Sequence, residues 1–88
     1  MRRASAGAVA APPFSIANSI NQYGRIVGAS STASGNVHAV LWSEHRRIVD
    51  LGTAGGLNSI ANSINDHGEI VGVSNTASGA RHAVLWTR

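Results

Sequence analysis

Short runs of apolar and β-branched residues, separated by Gly, Asn and Ser, are the dominant pattern of this chain. The clearest runs are Ser15–Ile20, 25–30, Val37–Trp42 and 47–51. None of them carries an apolar stripe at the 3.6-residue helical period over ten positions, and each has the length and the boundaries of a strand. The pattern therefore predicts an all-β chain.

The same pattern occurs twice. Residues 15–43 align with residues 59–87 at an offset of 44 residues, and 21 of the 29 aligned positions are identical. A period of about 40–45 residues is typical of the four strands of a propeller blade. We therefore predict two tandem four-stranded antiparallel units of the β-propeller-blade type, with a small β-sandwich of two packed sheets as the alternative.

The units are unequal in length. The first covers residues 15–58, and the second covers residues 59–88 and lacks its last strand, which predicts seven strands. Residues 1–14 form a lead-in that is either poorly ordered or an edge strand, and pairing of residues 8–11 would bring the number of strands to eight. The lead-in has a basic start but lacks the hydrophobicity of an intact signal peptide.

Turn chemistry and strand polarity give the expected layout of one unit. Asn21 and Gly24 bound a four-residue stretch that suits a type I turn with glycine at positive φ. Adjacent Ile26 and Val27 predict a central strand that is buried on both faces. Residues 47–51 are the most polar strand and are expected at the outer edge, while glycine-rich residues 52–56 are expected to connect the units.

Charge and composition exclude several classes of partner. The net charge is +3, but Arg2, Arg3 and Arg88 at the two ends account for it, so no basic stripe predicts nucleic-acid binding. No run approaches the about 20 apolar residues of a membrane-spanning helix, and the absence of cysteine excludes disulfides. Because a closed propeller takes about 4–8 blades, we expect self-association or further repeats of a longer protein.

Three pairs of residues kept in both copies are the candidates for a site. The histidines could be metal ligands or general bases, but no carboxylate or second histidine lies at ligand spacing, and hydrogen bonding to a neighbouring strand is the simpler interpretation. The tryptophans could stack on a sugar or fill the core, and the asparagines are turn formers. We therefore predict no catalytic, cofactor or metal site. The candidates are His38, His82, Trp42, Trp86, Asn21 and Asn65.

Several segments together resemble the HAF repeat, a family of probable bacterial extracellular repeats named for a His-Ala-Phe triplet. They are ANSIN at 17–21, IVG at 26–28, HAVLW at 38–42 and LGT at 51–53, and the resemblance covers about residues 15–87. Val40 and Val84 stand where the family usually has Phe, and residues 44–46 stand where glycines are more usual. The resemblance implies secretion or surface display within larger repeat proteins, and it supplies no activity or ligand.

These observations predict a non-catalytic extracellular or surface β-repeat module that acts as a scaffold or a binding surface. One alternative is a fragment of a propeller-type hydrolase or lyase that uses His38 and His82. A second alternative is a carbohydrate-binding module that uses exposed tryptophan.

Overall fold

The computed structural model describes residues 15–43 and 47–87, which form two antiparallel sheets. The first sheet has the strand order β1-β2-β3-β4 and the second has the order β5-β6-β7. The all-β prediction is therefore confirmed. The described residues form seven strands and include no helix that could span a membrane. The predicted lead-in at 1–14 and the turn at 44–46 lie outside the described residues. The strands are β1 Ser15–Ile20, β2 Ile26–Ser31, β3 Val37–Trp42, β4 Ile48–Gly52, β5 Gly55–Ile64, β6 Ile70–Thr76 and β7 Arg81–Trp86.

Most strands lie where the sequence predicts them. The bounds of β1 and β3 are as predicted, and β2 and β4 are each displaced by one residue. β2 is buried along nearly its whole length on both faces, and β4 forms the outer edge of the first sheet, as expected.

The connector between the sheets is shorter than the expected stretch at 52–56, because Gly55 and Gly56 belong to β5. Gly55 pairs with Thr76 of β6. A Cβ on Gly56 would lie only 2.6 Å from the carbonyl oxygen of Thr76, so only glycine can run this close to the neighbouring strand. The glycine pair that reads as a linker is therefore part of the sheet.

The two matching turns are closed by backbone hydrogen bonds. The Gly24 N–H donates to the Asn21 carbonyl oxygen at 3.1 Å, and the Gly68 N–H donates to the Asn65 carbonyl oxygen at 3.2 Å. Gly24 and Gly68 have φ of +81° and +82°, a conformation that favours glycine. The predicted turn is thus present in both units.

The core forms where β5 crosses the first sheet. β5 contacts β1, β2 and β3, and the sheets bury small as well as large apolar side chains between them. Alanines at the centre of this interface let the two sheets approach closely. The buried cluster comprises Val27, Ala39, Leu41, Ala61, Ile64 and Ile70, with Val49, Leu51 and Trp86 packed against it.

Residues at equivalent positions of the two repeats differ sharply in burial. Leu41 is 1% exposed, whereas its counterpart Leu85 is 57% exposed. On β1 and β5 it is the second repeat that is buried. Ile64 of β5 is 7% exposed, whereas its counterpart Ile20 of β1 is 62% exposed. Within the described residues, the two sheets form one interface, in which β5 covers β2 and β3. The equivalent surfaces, on β1 and on β6 and β7, are exposed.

Candidate functional site

His38 on β3 lies within hydrogen-bond distance of a carboxylate of the adjacent strand. Its Nδ1 lies 3.0 Å from Oδ1 and 2.9 Å from Oδ2 of Asp50 on β4. The carboxylate is anchored in turn, since the Gly52 N–H donates to Asp50 Oδ1 at 2.8 Å. The arrangement holds the imidazole in one orientation and ties β3 to β4.

Asp50 does not lie at ligand spacing from His38 in the sequence, because the two residues are twelve positions apart. The two strands pair as Trp42 with Ile48 and Val40 with Asp50, which places Asp50 on the same face as Val40 and diagonal to His38. The hairpin register, counted outward from the turn after Trp42, is the signal that could have located this carboxylate.

His82 has no equivalent environment. It is exposed on β7, and none of the described carboxylates forms an ion pair with it. The second sheet has three strands, so the position that β4 occupies beside β3 has no described counterpart beside β7. The two histidines therefore share a sequence position but not an environment.

Asn21 and Asn65 each hold a turn through the side-chain oxygen. Asn21 Oδ1 accepts hydrogen bonds from the backbone N–H groups of Tyr23 at 2.9 Å and Arg25 at 3.1 Å. Asn65 Oδ1 makes the same two bonds, at 2.9 Å and 3.0 Å, to the residues two and four positions further along. This is the Asx-type capping that favours asparagine at such positions.

Asn21 has a second role that the sequence does not reveal. Its Nδ2 donates to the backbone carbonyl oxygen of Asn65 at 3.0 Å, so the side chain of one repeat binds the equivalent residue of the next. Three more hydrogen bonds join positions 43 to 45 residues apart. They are Asn18 Nδ2 to Ala61 O at 2.8 Å, Gln22 N to Asp66 Oδ1 at 3.1 Å, and Ile64 N to Ser19 Oγ at 3.4 Å. We call these four bonds the repeat-to-repeat bonds.

Ser59 of β5, in the second sheet, forms hydrogen bonds with two strands of the first sheet. Its buried hydroxyl accepts a hydrogen bond from Ala39 N–H at 2.8 Å and donates to the Gly52 carbonyl oxygen at 2.7 Å. Ala39 and Gly52 face each other at the irregularity in the pairing of β3 and β4. The hydroxyl thus bridges the two strands where their register shifts. The occurrence of serine at both Ser15 and Ser59 was the only sequence signal for this role.

The tryptophans serve the core. Trp42 is buried, and Trp86 is partly buried and packs against the apolar cluster. In this conformation Trp42 offers no open ring face to a sugar, which weakens the expectation of a tryptophan-based binding site.

The described residues do not assemble a metal centre. No group of three or more His, Cys, Asp or Glu side chains in this part of the chain is placed to hold an ion. Every buried side-chain nitrogen or oxygen in the same part has a hydrogen-bond partner. Of the preserved polar candidates, Asn21 and Asn65 hold backbone through their side chains, whereas His38 binds the Asp50 carboxylate.

Comparison of the chain with protein-family models, with curated proteins and with solved structures gives no match.

Proposed function

We propose that the chain is a non-catalytic β-repeat module that serves as a scaffold or a binding surface. The observation that carries this proposal is the hydrogen bond from Asn21 Nδ2 to Asn65 O, in which one repeat binds the equivalent position of the next. Such a contact joins neighbouring units, and contacts between stacked units contribute much of the stability of repeat proteins.

The units are proposed to be blades of the propeller type. The first sheet supports this because it is a four-stranded antiparallel meander whose strands follow one another in chain order, as in a propeller blade. The second sheet repeats the first three of these strands with the same pairing register. Ile26 pairs with Trp42 in the first sheet, and Ile70 pairs with Trp86 in the second.

Lengthening the chain tests the stacking proposal. A variant with a further copy of residues 15–58 inserted before residue 59 gains one more interface between units. We expect its denaturation midpoint to rise above that of the native chain, and to rise less when the inserted copy carries Asn21→Ala. Equal midpoints for all three chains would show that the units do not support each other and would overturn the proposal.

A hydrolase is the second candidate, and the His38–Asp50 pair is the observation that favours it. An imidazole whose Nδ1 is held by a carboxylate can act as a base through its Nε2. The assay measures turnover of chromogenic esters and glycosides by the native chain, by His38→Ala and by His82→Ala as the matched control. We expect no turnover that depends on His38. Activity that disappears in His38→Ala, with an unchanged circular dichroism spectrum, would establish the enzyme instead.

Secretion or display at the cell surface is also part of the proposal, and the resemblance to HAF repeats is its support. Fractionation of the native cells with detection by an antibody checks it. We expect the protein in the medium or accessible to protease on intact cells, and recovery only from the cytoplasm would contradict this location.

A further inference from the structure

We propose that the chain associates head to tail with further copies of itself, so that the exposed face of β6 and β7 in one copy receives β1 of the next. We define the receiving face by Val71, Val73, Ala83 and Leu85, and the docking strand by β1. The inference rests on the proposed scaffold function and names the partner of its surfaces, which is a second copy of this chain.

The receiving face repeats the surface that β5 already covers inside the molecule. Val27 is 0% exposed and lies in the core cluster, while its counterpart Val71 is 47% exposed. Leu41 and Leu85 differ in the same way. Val71, Ala83 and Leu85 keep the residue types of Val27, Ala39 and Leu41, but no described strand covers them in the second repeat.

The docking strand repeats the surface that does the covering. β5 places Ala61 and Ile64 against Val27 and Leu41 in the core cluster. In β1, the residues equivalent to Ala61 and Ile64 are Ala17 and Ile20, and both are exposed. Two complementary halves of one known interface are therefore both uncovered on the same chain.

A shallow recess beside β1 lies where this docking places the side chains of the next copy. It has a volume of about 330 Å³ and is lined by Ala17, Asn18, Ser19, Ile20 and Ile26. Its lining corresponds, position by position, to residues 61–64 and 70 of the internal interface. Because Val27 and Leu41 pack against the buried residues of that internal counterpart, we expect Val71 and Leu85 of the next copy to fill the recess.

The hydrogen bonds of the internal interface can also be reproduced between copies. Asn62 and Ser63 are exposed on β5 and correspond to Asn18 and Ser19, which form repeat-to-repeat bonds inside the molecule. Asn62 Nδ2 can therefore donate to the carbonyl oxygen of Ala17 in the next copy, and Ser63 Oγ can accept from its Ile20 N–H.

Asn65 and Ser15 supply two further bonds. Asn65 Nδ2, which now donates to Glu69 Oε1 at 2.7 Å, can turn to the carbonyl oxygen of Asn21 in the next copy. Ser15 of that copy can accept from Ala83 N–H, as Ser59 accepts from Ala39 N–H within the chain.

Three side chains on the receiving face or at its rim differ from their internal counterparts. Val73 replaces Ala29, and the paired residues Asn75 and Arg81 replace Ser31 and Val37. Ala29 is itself 0% exposed, so the larger Val73 makes this part of the face bulkier than its internal counterpart, whereas Val71, Ala83 and Leu85 keep the residue types of Val27, Ala39 and Leu41. Arg81 lies at the start of β7, where its aliphatic part can cover the rim of the face while the guanidinium remains in water.

The two surfaces differ from each other, so the association is heterologous and produces a ring or an open chain of copies. This geometry permits a test by complementation. Leu85→Glu blocks the receiving face and leaves the docking strand intact, whereas Ile20→Glu blocks the docking strand and leaves the receiving face intact. Both residues are exposed in the single chain, so neither change buries a charge unless copies associate.

The experiment measures mass by sedimentation and light scattering over a wide range of concentrations. We expect the native chain to form species larger than its monomer of 9.0 kDa, and each variant alone to remain a monomer. An equimolar mixture of the two variants is expected to form a complex of two chains, because each supplies the surface that the other lacks. Leu57→Glu, an exposed leucine outside both surfaces, is the matched control and is expected to associate like the native chain.

Two results would overturn the proposal. One is a native chain that stays monomeric at every concentration. The other is a mixture that stays monomeric although both variants are folded by circular dichroism, which would indicate pairing of like faces. If either variant fails to fold, Val71→Glu and Ala17→Glu replace the pair, since both positions are exposed. A monomeric native chain would leave the scaffold proposal standing, because that proposal is decided by the inserted repeat and by the turnover assay.

Discussion

Removal of the Ser59 hydroxyl provides a sharp test of how the two sheets depend on each other. In Ser59→Ala, the buried Ala39 N–H loses its acceptor and the Gly52 carbonyl loses its donor. A buried donor left without a partner costs about 1–3 kcal/mol. Gly52 is only half-buried, so its carbonyl can bind water and adds little. We therefore expect a loss of about 2 kcal/mol in the free energy of unfolding.

The repeat supplies a matched control for this change. Ser15 is the same residue at the equivalent position of the first repeat, and it is exposed. Ser15→Ala is expected to change stability by no more than about 0.5 kcal/mol. A loss of about 2 kcal/mol in a domain of 60–100 residues lowers Tm by roughly 8–16 °C, so the two variants are easily distinguished.

The measurement is guanidinium denaturation followed by tryptophan fluorescence, at a dilution where the chain is a single species. The slope of the transition should be the same in both variants, so that a shift in midpoint reports stability alone. If Ser59→Ala and Ser15→Ala have the same midpoint, the hydroxyl does not bridge β3 and β4 and the reasoning fails.

Two further pairs of substitutions test packing and close approach, each measured by urea denaturation. Leu41→Ala is expected to cost about 2–5 kcal/mol because it opens a cavity in the core, whereas Leu85→Ala should stay within about 0.5 kcal/mol; equal losses would contradict the difference in burial. In Gly28→Ala the new Cβ would lie 1.8 Å from the carbonyl oxygen of Ile16, so β1 must separate from β2 and the loss should be about 3 kcal/mol or more. Gly35→Ala has open space for its Cβ but a φ of +91°, and a smaller cost of about 1–2 kcal/mol is expected from backbone strain alone.

The elements of the fold could be predicted from local chemistry. Alternating and β-branched residues bounded by Asn and Gly located β1 and β3 to the residue, and the turn at Asn21–Gly24 followed from the positive φ that glycine permits. The predicted connector at 52–56 was too long because Gly55 and Gly56 have no side chains whose pattern could indicate a strand. They belong to β5 because β6 runs close beside them, and the neighbouring residues in the sequence do not indicate that contact.

The burial of equivalent residues could not be predicted, because identical sequences carry identical local signals. Leu41 and Leu85 stand in the same HAVLW segment, and only the presence of β5 over one of them makes their exposures differ. The partner of His38 is not indicated by the residues next to it in the chain. Asp50 comes near His38 through the pairing of β3 and β4, which follows only once the two strands are counted outward from their turn.

The position of Ser59 has a consequence for the order in which the chain can fold during synthesis. Residues 15–52 contain all four strands of the first sheet, yet the hydroxyl that closes its irregular pairing lies seven residues beyond Gly52. The first sheet therefore reaches its final form only after the beginning of the second repeat has left the ribosome. The contacts of the first sheet thus cross the boundary that the repeat marks in the sequence, and a nascent chain cut at residue 58 would lack one of them.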